Sequence, residues 1–397
     1  MMKVIRHCLD ATDQACFCDQ LVALEQPETA CLSIAFGSVK AISELSRCHY
    51  ATLLSARWVA TSSCQDAFSD QAIEGNHHLA ILQFVDPTGA YGVASRHSDN
   101  KTIVDDSKAA LQEALLAANK PGELPTFIWC SPSPGLEEGL LTGIRELVGD
   151  DVPVFGGSSA DNDVSGNWCM FDGQQLVHTG FIIAVLFPSV PISYYFSCGY
   201  EQTPLSAVVT SACERQLISL DNQPAADVYN AWRELKGQPS LPAGPVLAAS
   251  TFSPLGRIVP QHDVNMALLS HPALIRADGS IDLFSQVHTG ESITFMQGDT
   301  ELLVQRAATV SGIARQQLSN LYDSKPQAAI VIFCAGCMLA IPEDIKRVQQ
   351  GIRQKLENIP FIGGYTFGEQ GRFADGINRH GNLMISAIIF GSVNESV

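Results

Sequence analysis

The hydrophobic pattern of the chain repeats itself. Between residues 126 and 155, an apolar run of strand length precedes apolar residues at helical spacing, and a second apolar run follows them. The same succession returns between residues 329 and 362. Apolar residues that recur every three or four positions indicate one face of a helix, while short continuous apolar runs indicate buried strands. The pattern therefore predicts strand, helix and strand in both places.

A glycine pair follows the second strand of each copy, Gly156 with Gly157 and Gly363 with Gly364. Downstream, each copy has an Asp-Gly turn, then a histidine, then a final apolar strand. Each copy is therefore predicted to be a strand–helix–strand–strand unit. A fainter third copy begins at residue 31, but it lacks the glycine pair, and whether it is a true repeat stays open.

These repeats place the chain in the α/β class. We expect internally duplicated units with mixed, largely antiparallel sheets and helices on their outer faces. Between the copies, residues 246–305 alternate short apolar runs with turns, which predicts antiparallel strands. The predicted division is an N-terminal extension at residues 1–24, an N-terminal domain at 25–225 and a C-terminal domain at 226–397.

Charge and composition narrow the choice of partners. Among 397 residues, 41 Asp and Glu outnumber 24 Lys and Arg, which gives a net charge of -17. Such a surface repels phosphate backbones and anionic membranes, so neither nucleic-acid binding nor membrane insertion is expected. The N-terminal residues lack the apolar core of a signal peptide, and the chain is predicted to be cytoplasmic. Its 12 cysteines are accordingly expected to be reduced thiols.

Common catalytic motifs are missing, since the sequence contains no P-loop, no Gly-x-Ser-x-Gly and no His-Glu-x-x-His. The chain is therefore not expected to be an enzyme. Cys334 and Cys337 form its only Cys-x-x-Cys pair; zinc would need two further ligands, and no histidine follows for covalent haem attachment. A histidine and three cysteines near the N-terminus could bind a metal ion, and this alternative stays open (His7, Cys8, Cys16 and Cys18).

Residues 154–161, Val-Phe-Gly-Gly-Ser-Ser-Ala-Asp, and residues 361–369, Phe-Ile-Gly-Gly-Tyr-Thr-Phe-Gly-Glu, carry a resemblance to a known family. The first segment resembles the N-terminal signature of FIST proteins, and the second is similar to the Gly-Phe-Tyr-Thr-Tyr-Gly-Glu motif of their C-terminal domain. The residues Phe333-Cys-Ala-Gly336 resemble the element that precedes that motif. The resemblance covers roughly residues 25–390, and Cys337 stands where the family more often has Arg.

What the resemblance implies is a ligand-sensing module of bacterial signal transduction. Members of the family are thought to bind small molecules and to work beside histidine kinases or methyl-accepting proteins. One branch, the nitric-oxide-sensing proteins, binds haem and consists, like this chain, of FIST domains only. The implied function is a cytoplasmic haem-based sensor of nitric oxide that modulates a partner histidine kinase or other signalling protein, with a homodimer left open. The alternatives are a sensor of amino-acid-like ligands without haem, and a hydrolase or transferase.

The motif residues Tyr365, Gly368 and Glu369 are the ligand patch that the resemblance supports best. Tyrosine can stack on a ligand and donate a hydrogen bond, glycine permits close approach, and glutamate accepts hydrogen bonds from an ammonium or guanidinium group. The rest of the predicted ligand site is Gly363, Gly364 and Cys334. Two other roles stay open, because the glycine pair could be a packing turn and Glu369 could pair locally beside Arg372.

Haem b, bound through an axial histidine, is the cofactor that the resemblance implies. The candidate ligands are three histidines of the middle region, where a site could be added to the duplicated scaffold: His262, His271 and His288. A neutral imidazole on one side of the iron would leave the other side free for nitric oxide.

Overall fold

The structure is a computed structural model that describes residues 2–23, 30–48, 57–71, 77–259, 266–373 and 375–392. The fold contains three units of the same topology and one inserted sheet. Each unit runs through strand, helix, strand, helix and strand, then makes a short excursion before its last strand. The insert follows the first strand of the third unit.

The first unit contains β1 (Lys3–Asp10), α1 (Gln14–Ala23), β2 (Ala30–Gly37), α2 (Val39–Arg47), β3 (Trp58–Ser62), β4 (Ala67–Ser69) and β5 (His78–Val85). The second unit contains β6 (Ala90–His97), α3 (Ile103–Ala117), β7 (Phe127–Pro132), α4 (Glu137–Val148), β8 (Val154–Gly157), β9 (Met170–Phe171), β10 (Leu176–Val177) and β11 (Gly180–Phe187).

The third unit begins with β12 (Ile192–Cys198). The insert then contains β13 (Glu201–Cys213), β14 (Gln216–Leu220), β15 (Gln223–Pro224), α5 (Ala225–Leu235), β16 (Gly244–Pro245), α6 (Leu247–Ser250), β17 (Leu255–Val259), β18 (Met266–Ser270), β19 (Pro272–Ile275), β20 (Ile281–Leu283) and β21 (Ser292–Gln297). The third unit resumes with α7 (Thr300–Tyr322), β22 (Pro326–Cys334), α8 (Ala335–Ala340), α9 (Ile345–Lys355), β23 (Phe361–Thr366), β24 (Glu369–Arg372), β25 (Asn378–Gly381) and β26 (Met384–Gly391).

Strand order is the same in the three units, because the last strand always lies between the first and the second. The orders are β1-β5-β2-β3, β6-β11-β7-β8 and β12-β26-β22-β23. The second and third strands of each unit run parallel, joined by a helix, and the other pairings are antiparallel. The predicted duplication and the α/β class are confirmed. The fainter copy from residue 31 is a third repeat.

Each unit completes the sheet of a neighbour. β4 of the first unit pairs with β23 of the third, β9 of the second with β3 of the first, and β24 of the third with β8 of the second. The first unit thus adds a strand to the third, the third to the second and the second to the first, so each of these sheets contains strands from two units. Residues 1–24, which were expected to be a separate extension, include β1 and α1 of the first unit.

The insert is a nine-stranded sheet with α5 packed against it. The aromatic rings of Tyr229 and Trp232 on α5 lie 5.8 and 6.2 Å from the ring of Phe295 on β21. The expected boundary at residue 225 falls inside this insert, at the first residue of α5. How the chain divides into separately folding domains stays a prediction.

Helices cover the outer faces of the sheets. α3 contacts β6 and β11, and α7 contacts β12 and β26. Strands covered on both faces are buried along almost their whole length, as β11 is, which explains their continuous apolar sequence. None of the helices in the described ranges combines the length and the apolar character that crossing a membrane requires.

Two of the cysteines are not reduced thiols. Cys18 on α1 and Cys48 after α2 form a disulfide, with their Cα atoms 6.0 Å apart, a separation that suits such a bond. The prediction of reduced thiols is therefore wrong for this pair. The disulfide also removes Cys18 from the metal ligands considered near the N-terminus.

Candidate functional site

The loops that follow the third strand of each unit interlock at the centre of the molecule. The N–H of Ala160 donates to the carbonyl of Ser62 (2.9 Å), and the N–H of Cys64 donates to the carbonyl of Tyr365 (3.0 Å). The N–H of Ser158 donates to the carbonyl of Gly368 (2.8 Å). The two family motifs therefore meet in space, and the second and third units hold each other through them.

Beside this centre lies a cavity of about 150 Å³, which we call the junction cavity because the second unit, the third unit and the insert all line it. Its apolar wall consists of Val164, Trp168, Leu247, Phe284, Leu339 and Phe367. Its polar wall consists of Glu137, Arg215, His271, Cys334 and Asn382. An apolar cavity with a few convergent polar groups is the usual form of a small-molecule site.

His271 is a fixed, neutral part of this wall. Its Nε2 lies 3.0 Å from the carbonyl oxygen of Leu247, to which it donates, and its backbone N–H donates to Oδ1 of Asn382 (3.2 Å). Burial lowers the pKa of His271 to about 4, so the ring carries no charge at pH 7.

Cys334, one of the residues predicted for a ligand site, also lies on this wall. It ends β22, and burial raises the pKa of its thiol well above the usual value, so the group is an uncharged thiol. Gly336, two residues on, forms part of the cavity floor. A Cβ added there would lie 3.0 Å from Cδ2 of Leu383, 3.6 Å from Sγ of Cys334 and 3.7 Å from Cε1 of His271, so the Leu383 side chain would have to shift slightly.

An ionic cluster that sequence reasoning missed lies beside the cavity, whose wall includes two of its members, Glu137 and Arg215. Nη2 of Arg215 donates to Oε2 of Glu137 (2.6 Å) and to Oε2 of Glu138. Nδ1 of His380 lies 3.0 Å from Oε1 of Glu138. Burial raises the pKa of Glu138, but His380 and Arg215 outweigh that effect and hold it well below its usual range. The one sequence feature that could have indicated this cluster is the pair of carboxylates, Glu137 and Glu138, at the start of the amphipathic helix α4.

The same cluster is the metal-ligand candidate within the described ranges. Glu137, Glu138 and His380 each offer a ligand atom within 4.8 Å of the others. Arg215 already supplies a cation to both carboxylates, so the cluster is charge-paired without a metal ion.

Glu369 lies apart from the cavity and is completely buried. Its Oε1 accepts from the hydroxyl of Thr366 (2.7 Å) and its Oε2 from the N–H of Met384 (3.0 Å). Burial raises the pKa of Glu369 well above the usual value and so favours the protonated carboxyl. Arg372, the expected local partner, donates to the carbonyl of Asp150 instead. Both ends of Glu369 are thus bonded within the protein.

Replacing Glu369 by Gln should raise the midpoint of thermal unfolding at pH 7. A carboxyl whose pKa is raised by folding loses stability as pH rises above its unfolded value, near 4.5, because only the unfolded chain releases the proton. Gln keeps the shape of the protonated group without that loss: its oxygen can accept from the N–H of Met384 and its NH2 group can donate to the hydroxyl oxygen of Thr366. Thermal unfolding of both proteins from pH 4 to pH 8 checks this; a variant that is less stable at pH 7 would show that Glu369 is ionised.

The glycine pair and Tyr365 belong to the packed core. A Cβ at Gly363 would lie 2.2 Å from the ring of Phe68, and one at Gly364 would lie 2.4 Å from the ring of Phe36. The Tyr365 ring lies 4.8 Å from that of Phe68, and its hydroxyl accepts from Gln349 (3.4 Å). Neighbouring rings therefore fill the space that was predicted to hold a ligand, and the packing interpretation of the glycine pair fits the structure.

Gly368 makes room for the ionic cluster. A Cβ at this position would lie 2.5 Å from Nε2 of His380 and 3.2 Å from Oγ of Ser158. The glycine therefore allows the third-unit motif to lie against the cluster. Gly368 is not among the residues that line the junction cavity.

The surroundings of His271 and His288, the two candidate ligands within the described residues, do not fit haem. The junction cavity before His271 has half the volume of the smallest common cofactor sites, about 300 Å³. His288 is exposed, in a polar cleft with Arg145, Arg257 and Glu291, whereas the faces of a porphyrin require apolar contacts. His262 lies outside the described residues.

Comparisons with known proteins agree with the two motifs. Residues 31–223 match the profile described as the FIST N domain, and residues 225–372 match the FIST C domain. No curated protein matches the chain. The structure of cyanuric acid hydrolase from A. caulinodans is 11% identical with a TM-score of 0.41, covering 99% of this chain and 100% of that one. A chorismatase structure is 10% identical with a TM-score of 0.40, covering 98% of each chain. Similarities of this size carry no argument about function.

Proposed function

Because the chain belongs to the FIST family, whose domains are associated with sensory signalling and small-ligand binding, we propose that it senses a small molecule bound in the junction cavity. The observation that carries this proposal is the largely apolar cavity at the meeting point of two units and the insert. A ligand there touches three parts of the fold at once. Binding can therefore favour one arrangement of these parts over another, which is all that signalling requires.

The output of the sensor, in this proposal, is a changed contact with a signalling protein such as a histidine kinase. The ionic cluster supports that route, because Arg215 comes from the insert, Glu137 and Glu138 from the second unit and His380 from the third. A ligand that contacts Arg215 and Glu137 changes the bonds that join these parts.

Two ligand classes follow from the family. Haem-based sensing of nitric oxide stays a prediction that rests on His262. The test is a visible absorption spectrum of the protein supplied with haem, compared with the spectrum of a His262→Ala variant. An amino-acid-like ligand is the alternative, since a carboxylate could contact Arg215 while an aliphatic side chain contacts Trp168 and Phe284.

Filling the cavity should abolish binding. The variant Gly336→Leu projects a side chain between Cys334 and His271, and helix propensity favours Leu over Gly at this position. Ligand-observed NMR with toluene and benzamide should show binding to the natural protein and a loss of at least tenfold in the variant, and leucine is the probe for the amino-acid-like alternative. Gly312→Leu is the matched control, because it lies on α7 against the aliphatic stem of Lys355. Equal binding to Gly336→Leu, or no binding of any probe to the natural protein, would refute the proposed site.

A further inference from the structure

The Asn382 side chain presents an unused hydrogen-bond donor to the junction cavity. Its Oδ1 accepts from the backbone N–H of His271 (3.2 Å), which fixes the orientation of the amide because an N–H requires an acceptor. The remaining Nδ2 has no partner in the protein, although the residue is only 3% exposed. A buried amide donor without a partner is costly, and native proteins rarely leave one unpaired. An acceptor atom inside the cavity would remove this cost.

Arg215 offers further donors on the same wall. Its Nη2 carries both bonds to the glutamates, whereas its Nη1 and Nε donate to no residue of the described ranges. The lining residues Asn382 and Arg215 therefore carry N–H donors without a partner among the described residues, whereas the carboxylate of Glu137 already accepts from Arg215, Ser158 and Gly135. The complementary ligand carries an acceptor.

The charges around the cavity decide which acceptor fits. The guanidinium of Arg215 faces the carboxylates of Glu137 and Glu138, His380 lies against Glu138, and His271 and Cys334 are neutral. The wall therefore has no excess positive charge. A ligand carboxylate would place a third carboxylate beside this pair at low dielectric, whereas an uncharged carbonyl accepts the same hydrogen bonds without that repulsion.

Size limits the rest of the ligand. An apolar cavity of about 150 Å³ in another protein binds benzene, so this cavity has room for one ring or a branched aliphatic group. Trp168, Phe284 and Phe367 on its wall suit the faces and edges of such a ring.

We infer that the ligand is a neutral molecule with one ring or a branched aliphatic group and a carbonyl oxygen that accepts from Nδ2 of Asn382. This inference rests on the proposed function, because it names the ligand class for the same cavity. Asn382 then selects for an acceptor atom, and the carboxylates of Glu137 and Glu138 select against a charged one.

Isothermal titration with benzamide and benzoate tests the inference, since the two probes have the same shape and differ in charge. Benzamide should bind the natural protein at least tenfold more tightly than benzoate. Asn382→Asp should keep the bond to His271 but replace the donor with an acceptor, and so weaken benzamide binding at least tenfold. Asn119→Asp, an exposed position, is the control for the added charge and should bind benzamide like the natural protein.

The outcomes separate this inference from the proposed function. Benzoate binding as tightly as benzamide, or unchanged benzamide binding by a folded Asn382→Asp, would overturn the inference and leave the cavity as a ligand site. Toluene binding without benzamide binding would overturn it in the same way. If toluene, benzamide and benzoate all failed to bind, both the inference and the proposed function would be refuted. The comparison of benzamide with benzoate on the natural protein holds even if the variant does not fold.

Discussion

Replacing Arg215 by methionine is expected to lower the free energy of unfolding by about 3 kcal/mol, at the lower end of the range for broken buried ion pairs. The lower end applies because the Arg215 side chain keeps 24% of its surface exposed. The loss arises because Glu137 and Glu138 would stay buried without their shared cation. Urea unfolding of both proteins at pH 7 measures the difference.

Arg347→Met is the matched control for this substitution. Arg347 also contacts two carboxylates, those of Asp344 and Glu301, but the side chains of Arg347 and Glu301 are about half exposed, so stability should change much less. Adding Glu137→Gln and Glu138→Gln to Arg215→Met should recover part of the loss. Equal stability of Arg215→Met and the natural protein would show that the carboxylates are not held by Arg215.

Replacing Gly364 by alanine is expected to lower the free energy of unfolding by about 3 kcal/mol, the upper end of the usual range for overpacking a core. The added Cβ would lie 2.4 Å from the ring of Phe36, which is fully buried and cannot move aside because it packs edge-on against Trp129 at 6.0 Å. Thermal or urea unfolding measures the loss.

A double-mutant cycle shows whether this clash is the cause. Phe36→Leu frees space over the glycine, so Gly364→Ala should cost less in that background than in the natural protein. Gly312→Ala on α7 meets only the flexible stem of Lys355 and should be neutral or stabilising. Additive effects in the cycle would mean that Gly364 is required for some other reason, such as contact with a ligand.

The repeat could be predicted from the sequence because buried strands and amphipathic helices have distinct hydrophobic periods. The exchange of strands between units could not. β4, β9 and β24 are two to four residues long, and each pairs with a strand of another unit, so no local pattern specifies its partner. The antiparallel strands predicted for residues 246–305 are confirmed, but their place inside the third unit could not be predicted, because the first strand of that unit lies before the insert.

Residues of the candidate site could be predicted only where the residue type itself, such as cysteine or histidine, suggests a chemical role. Cys334 and His271 were both singled out, and the structure brings them to one cavity wall. Arg215 was missed because it lies 78 residues from Glu137, and His380 because it lies 242 residues from Glu138. Glu369 and the glycine pair carry the family motif, and in the structure they contact Thr366, Phe36 and Phe68, so a ligand role for them stays a prediction.

A crystal structure of the protein soaked with bromobenzene tests the central claim most directly, because the anomalous signal of bromine locates the ring without assuming any contact in advance. The account predicts one dominant bromine peak in the junction cavity, with the ring against Trp168 and Phe284. A cavity without bromine at saturating bromobenzene, or a dominant peak elsewhere in the molecule, would contradict it.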